Sequence, residues 1–281
     1  MIERVKTRCV KEPYSTRTVT ELMTVPSGGE WDDFRVRVIK AKVLLWGNPD
    51  ANDNWPRDRE YAMGIDVAAG TGASNSCISV VDMLTGEKVL EFAWHKIMEH
   101  ELGHLAVALA RWFKGKNGNG ARMIWEARGP GHNFGQTVLS LGFRNVYWAK
   151  DEIGVARKVS DKPGWNPSIE NKRLLLGDYR TSLGQGVFVN RSRQALDECL
   201  EYIQVAGDKV EHSKAAKSEN ITEKGTSHGD RVIADALASK LLGEVSRDDT
   251  VESPPIPVGS LAWRREQRRR AESEHAELVG W

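Results

Sequence analysis

Residues 60 to 82 read Glu60-Tyr-Ala-Met-Gly-Ile-Asp66-Val-Ala-Ala-Gly-Thr-Gly-Ala-Ser-Asn75-Ser-Cys-Ile-Ser-Val-Val-Asp82, and the fold is decided here. An apolar strand delivers Asp66 into a glycine-rich loop, and a second strand follows. Two-residue alternation puts Tyr61, Met63, Ile65 and Val67 on one face and Ala62, Gly64, Asp66 and Ala68 on the other. Small side chains around Asp66 leave room for a metal or a ligand. Alone, an Asp ahead of a glycine-rich loop reads more readily as a turn former, so the assignment depends on the rest of the chain.

Downstream, a strand at Cys77 to Met83, a turn at Leu84-Thr-Gly-Glu87 and a strand at Lys88 to Ile97 complete an antiparallel meander. Glu99 to Lys116 carries Leu102, Leu105, Ala106, Leu109, Ala110 and Phe113 at helical spacing, closed by a glycine turn. A fourth strand spans Ala121 to Ala127. A short helical stretch at His132 to Ser140 and a fifth strand at Phe143 to Ala149 follow. The order β-β-β-α-β-α-β predicts an α/β fold, a mixed sheet with helices on its faces. Residues 150 to 167 read as a polar loop and Ile169 to Leu183 as a helix. Val187 to Asn190 reads as a short strand, Ser192 to Val205 as a helix capped by Ser192, and Lys209 to His212 as another short strand. A polar stretch over 213 to 226 precedes the last strong element, a helix over His228 to Leu242.

Residues 1 to 59 are charged and rich in turns, with an alternating patch from Phe34 to Trp46 that predicts a strand or two. They are a lead-in: the remnant of a preceding domain, or an edge that packs on the core. The core domain then covers 60 to 244, and 245 to 281 is a charged tail with an arginine-rich run from Arg264 to Arg270. With 281 residues, 40% of them hydrophobic, the chain can bury a sizeable core. A formal net charge of +1 argues neither for nor against nucleic acid, since a local basic groove fits within a neutral total. Three separated cysteines without metal-ligand spacing argue against a disulfide framework or a structural zinc site and for a reducing compartment. No segment is apolar enough for a signal peptide or a membrane span.

Glu126 lies near the carboxyl end of the fourth strand, as Asp66 does on the first; side by side, the two strands would bring the acids together. Asp230 starts the last helix. At about 100° per residue it heads the apolar stripe of Ile233, Leu237 and Leu241, so it faces inward, whereas Asp235 points to the far side as a solvated charge. Three acids at one sheet end make a hard, all-oxygen site for Mg²⁺ or Mn²⁺. Two such ions about 3.5–4 Å apart suit phosphodiester cleavage, with Asp66 as the shared ligand.

The strings Tyr61-Ala-Met-Gly-Ile-Asp-Val-Ala-Ala-Gly-Thr-Gly, Ile124-Trp-Glu-Ala-Arg-Gly-Pro-Gly, Asn171-Lys-Arg-Leu-Leu-Leu and Ser227-His-Gly-Asp-Arg-Val-Ile-Ala-Asp resemble the nuclease domain of the large terminase subunit of tailed bacteriophages. The resemblance covers about residues 60 to 243. It implies an RNase H-like fold and metal-dependent endonuclease cleavage of concatemeric viral DNA during genome packaging in the host cytoplasm, with Asp66, Glu126 and Asp230 holding two Mg²⁺ or Mn²⁺ ions. Double-stranded DNA is the implied substrate, and the portal and small terminase subunit are implied partners. Where relatives often carry a further acid, this chain has Asn75-Ser76. The Gly-x-x-x-x-Gly-Lys-[Ser/Thr] loop of a packaging ATPase is absent, so the chain reads as the nuclease portion without its motor. His228 is a candidate for contact with the scissile phosphate or a metal-bound water, and Arg128, Lys172 and Arg173 for the DNA backbone. Each also reads as an ordinary surface group. The competing readings are a Holliday-junction resolvase or transposase-like nuclease, an actin- or hexokinase-like phosphotransferase, and a non-catalytic DNA- or portal-binding module.

Overall fold

The alternation along the first core strand sorts its side chains into two separate cores. The computed structural model describes residues 1–47, 49–150, 159–205, 209–212 and 229–248. Strands β3 (Tyr61–Asp66), β4 (Ser76–Asp82) and β5 (Lys88–Trp94) form the antiparallel meander, in register Gly64 to Ser79 to Glu91. Helix α4 (Glu99–Trp112) crosses the sheet so that β6 (Arg122–Trp125) pairs with β3 in parallel. A parallel neighbour requires such a crossover, because no tight turn can connect two strands running the same way. The chain ahead of the meander adds β1 (Ser15–Thr18) and β2 (Lys42–Leu45), giving a six-stranded mixed sheet in the order β1-β2-β5-β4-β3-β6.

On one face, Tyr61, Met63 and Ile65 join Ile78, Val80, Leu90, Phe92, Met123 and Trp125 beneath α4 and α5 (Pro130–Ser140). The short α2 (Val19–Leu22) and α3 (Glu30–Val38) add Val19, Phe34 and Val38 to this core. On the other face, Ala62, Val81 and Ile124 pack against α1 (Ile2–Cys9), α6 (Ile169–Gln185), α7 (Arg193–Leu200) and α8 (Asp230–Asp248). Each large side chain so buried stabilises the fold by about 1.5–3 kcal/mol.

Local readings differ from the structure in four places. The patch from Phe34 to Trp46 is half helix: Phe34 and Val38 are an i, i+4 pair on α3, and acids in its first turn with arginines in its last complement the helix dipole. The fifth strand shrinks to a parallel bridge at Val146. Its chain then leaves the sheet as β7 (Trp148–Lys150), which pairs with β8 (Val159–Pro163) inside the supposed polar loop. Val187 to Asn190 makes only one bridge, Val189 with Glu87. Ser192 does cap α7, its hydroxyl accepting from the Ala195 N–H at 3.2 Å, but the helix ends at Leu200 because Tyr202 begins β9 (Tyr202–Val205), which pairs with β10 (Lys209–His212). His228, the stretch 213–226 and all but the first residues of the tail lie outside the described residues. Among the described residues, no helix is long and apolar enough to cross a membrane.

Candidate metal centre

Asp66 is the last residue of β3, and Glu126 directly follows β6. The parallel register pairs Ile65 with Trp125, so one step further the two acids stand level on adjacent strands. The sequence after Glu126 holds it there. The Ala127 N–H donates to the Trp165 carbonyl at 2.8 Å, and the Trp125 indole donates to the Gly131 carbonyl at 3.0 Å. Gly131 sits so close to the strand that a Cβ would lie 1.8 Å from the Glu126 carbonyl oxygen, so only glycine lets α5 begin there.

Asp230 reaches the centre from α8. The helix lies directly on β3: a Cβ on Gly64 would meet the Ala234 carbonyl oxygen at 2.0 Å and the Ala238 nitrogen at 2.5 Å. The small face of β3 thus serves two purposes. At Gly64 it admits the helix backbone, and beyond Asp66 it leaves a cleft of about 270 Å³ lined by Asp66, Ala68, Thr71, Asn75 and Asp230 among others. The glycine-rich loop is pinned by Ser76, whose hydroxyl accepts from the Ala68 N–H at 3.1 Å. Asn75 closes the cleft onto α8: its backbone N–H donates to the Asp230 carboxylate at 2.8 Å and its side-chain amide to the same oxygen at 3.4 Å. Asn75 is therefore a donor to the Asp230 carboxylate.

The electrostatics of the acids converge on Asp66. Burial raises the Asp66 pKa well above the usual carboxylate range, and the charges of Asp230 and Glu126 raise it further, while Lys172 opposes them. Burial also raises Glu126, against Lys172 and Arg128. Lys172, in the first turn of α6, is thus the cation felt by both strand-end acids. Arg128 stands beside Glu126 and donates to Asn166 at 2.9 Å; Arg173 is exposed on α6. Oxygen donors with excess negative charge fit a hard divalent cation. The carboxylates are not drawn into one tight cage: among the described residues, the trio whose ligand atoms all lie within 4.8 Å of one another is Glu30, His100 and Glu101, elsewhere on the molecule.

No family model matches the sequence, and no curated protein matches it by sequence. The large terminase nuclease of thermophilic phage G20c superposes with a TM-score of 0.51 in its magnesium-bound crystal structure, at 14% identity over 85% of this chain and 96% of that one. Its cobalt-bound structure gives 0.51 at 15% identity over the same shares of both chains. The chain has the fold of the large terminase nuclease. A sheet of mixed direction, with one parallel pair and helices on its faces, is the RNase H-like arrangement that the motifs imply.

Asp235 departs from the helical-wheel reading. It is fully buried, ion-paired with the equally buried Lys88 at 2.8 Å, and accepts from the Asn190 amide at 2.6 Å and the Tyr179 hydroxyl at 3.3 Å. The wheel assumes one buried stripe, but α8 is enclosed by the sheet on one side and by α6 and α7 on the other, so both flanks need partners. Lys88 also pairs with Glu91 at 2.6 Å. Arg231, the residue after Asp230, bridges Glu91 at 3.0 Å and Glu198 at 2.6 Å. Tyr202 is a further neighbour outside the sequence-level candidates. Its hydroxyl donates to the Gly229 carbonyl at 3.1 Å, and burial, Asp66 and Asp230 all raise its pKa. Nothing local marks it; only the placement of β9 brings it there.

Proposed function

We propose that this chain is a metal-dependent endonuclease that cuts concatemeric viral DNA during phage genome packaging, working as the nuclease portion of a large terminase. The observation that carries the reading is the alignment of Asp66 and Glu126 on adjacent parallel strand ends with Asp230 at the head of the helix laid on β3. The two G20c structures bear magnesium and cobalt, in keeping with a divalent requirement, and Mg²⁺ or Mn²⁺ suits an all-oxygen set. Two ions held by the three acids would supply Lewis-acid stabilisation and an activated water for phosphodiester hydrolysis. Asp66, between the other two acids, is the shared ligand. Asn75 orients Asp230 through its backbone N–H, and Lys172 and Arg128 offer positive charge to the DNA backbone beside the acids. Arg173 and His228 are assigned to DNA contact, His228 on its closeness in sequence to Asp230. Portal and small terminase subunit are the expected partners.

The test is cleavage of duplex plasmid by the purified chain in Mg²⁺ or Mn²⁺. Nicking without sequence preference, lost on chelation and on Asp66→Ala with the circular dichroism spectrum unchanged, is the expected result. Equal cutting by wild type and Asp66→Ala would sink the mechanism.

A further inference from the structure

The two residues flanking Asp230 are each held from outside α8. On the side before it, the Gly229 carbonyl accepts from the Tyr202 hydroxyl at 3.1 Å. On the side after it, Arg231 meets carboxylates on two other elements: its Nε donates to Glu91 of β5 at 3.0 Å and its Nη1 to Glu198 of α7 at 2.6 Å. The second oxygen of Glu198 accepts the Arg231 backbone N–H at 3.0 Å. One carboxylate thus grips both the main chain and the side chain of a single residue in the first turn of α8, where amide groups have no partner inside the helix.

These charges are taken out of water. Glu91 and Glu198 keep only 2% and 7% of their side-chain surface, and Arg231 keeps 19%. One turn along the same flank of α8, Asp235 pairs with Lys88 of β5, which itself bonds Glu91 at 2.6 Å, so the helix is tied to β5 at two successive turns. Burying ion pairs is a weak way to stabilise a fold, since apolar side chains of the same volume serve as well. Directed bonds do what apolar contact cannot: they fix how far a helix is slid and turned against its neighbours, and the planar guanidinium fork tolerates little error in either. Asp230 is the carboxylate whose place is decided there, one residue from the clamp. We propose that Arg231 and Glu198 are positioning residues, which set the slide and turn of α8 and so hold the Asp230 carboxylate against Asn75, in the cleft it shares with Asp66. The proposal rests on the reading of Asp230 as one of the metal-binding acids.

A reporter is built in, because the Asn75 N–H donates to the Asp230 carboxylate at 2.8 Å. Amide hydrogen exchange of the full chain, measured in chelator, reads that bond without metal or DNA. Two variants keep the bulk of the site: Glu198→Gln, whose amide must turn a donor toward Arg231, and Arg231→Lys, which keeps the charge but loses the fork. In both, exchange at Asn75 should quicken about tenfold, as loss of a hydrogen bond to a charged group does, while amides in the middle of α8 and of β4 keep their wild-type rates. Mg²⁺ affinity by titration calorimetry should fall about tenfold in the same variants, the usual cost of losing a partner behind a metal ligand. Wild-type exchange at Asn75, or wild-type Mg²⁺ affinity, in both variants overturns the proposal. Equal quickening at every amide, or loss of the folded state in both, overturns it too, since either marks a general stabiliser. If the Asn75 result holds but wild type neither takes up Mg²⁺ nor cuts DNA, the nuclease reading falls instead, so the two failures are distinguishable.

Discussion

Asp66 is held where burial and neighbouring carboxylates oppose its charge. Burial, then the charges of Asp230 and Glu126, and Glu198 more weakly, raise its pKa, and Lys172 opposes them. Each pKa unit corresponds to about 1.4 kcal/mol of preference for the neutral form. Without divalent cations the fold therefore disfavours the ionised form of this group, and Asp66→Ala should be the more stable protein in chelator. A gain of about 1 kcal/mol or more should raise the melting temperature by roughly 2–4 °C. In excess Mg²⁺ the order should reverse, because wild type gains stability from bound ion that the variant cannot hold. Calorimetric melts in both conditions check this, and a lower melting temperature for Asp66→Ala in chelator would refute it. The positions of the three acids at two strand ends and a helix head were legible from sequence because those ends are marked by periodicity. Asp235 was not, since a helical wheel cannot tell that α8 is enclosed on two sides, and Tyr202 was not, since β9 reaches the acids only through tertiary placement.

At the scale of elements, the closeness of α8 to β3 sets where Asp230 stands relative to Asp66. Gly64 is the contact point, and a methyl group there would overlap backbone atoms of Ala234 and Ala238, which cannot swing aside as a side chain can. Gly64→Ala should lift α8 off the strand at a cost of about 1–3 kcal/mol, as overpacking does, and reduce Mg²⁺-dependent cleavage far more than the loss of folded protein explains. Chemical denaturation alongside cleavage rates at matched folded fraction measures both, and a stable variant with full activity would remove Gly64 from the argument. The meander around Gly64 was readable because period-two strands joined by short turns pair with their sequence neighbours. Non-local pairings escaped that reading: β2, which lies between β1 and β5, was merged with α3 into one patch, and β8 was hidden in a stretch that looks like loop.

For the whole molecule, the decisive question is whether residues 1 to 59 can be dispensed with. Phe34, Val38, Val43, Leu45 and Trp55 are buried in the same core as Tyr61, Met63 and Phe92. Trp55 stacks on Phe113 at a centroid distance of 4.4 Å and meets Trp112 edge-on at 5.4 Å. β2 covers the hydrogen-bonding edge of β5 along Leu90 to Phe92. At about 1.5–3 kcal/mol for each buried side chain, losing these five removes roughly 8–15 kcal/mol, comparable to the full stability of an ordinary domain. It also uncovers an apolar strand edge that can pair with another chain. A fragment beginning at Glu60 should therefore be aggregated or lack a cooperative thermal transition, although it retains Asp66, Glu126 and Asp230. Expression of that fragment beside the full chain, compared by size-exclusion chromatography and thermal melts, checks this. A monomeric fragment with a sharp transition would mean that residues 60 onward fold alone, with the earlier strands as an accessory edge. An aggregated one would mean that the acid centre depends on strands laid down roughly 20 to 50 residues before Asp66.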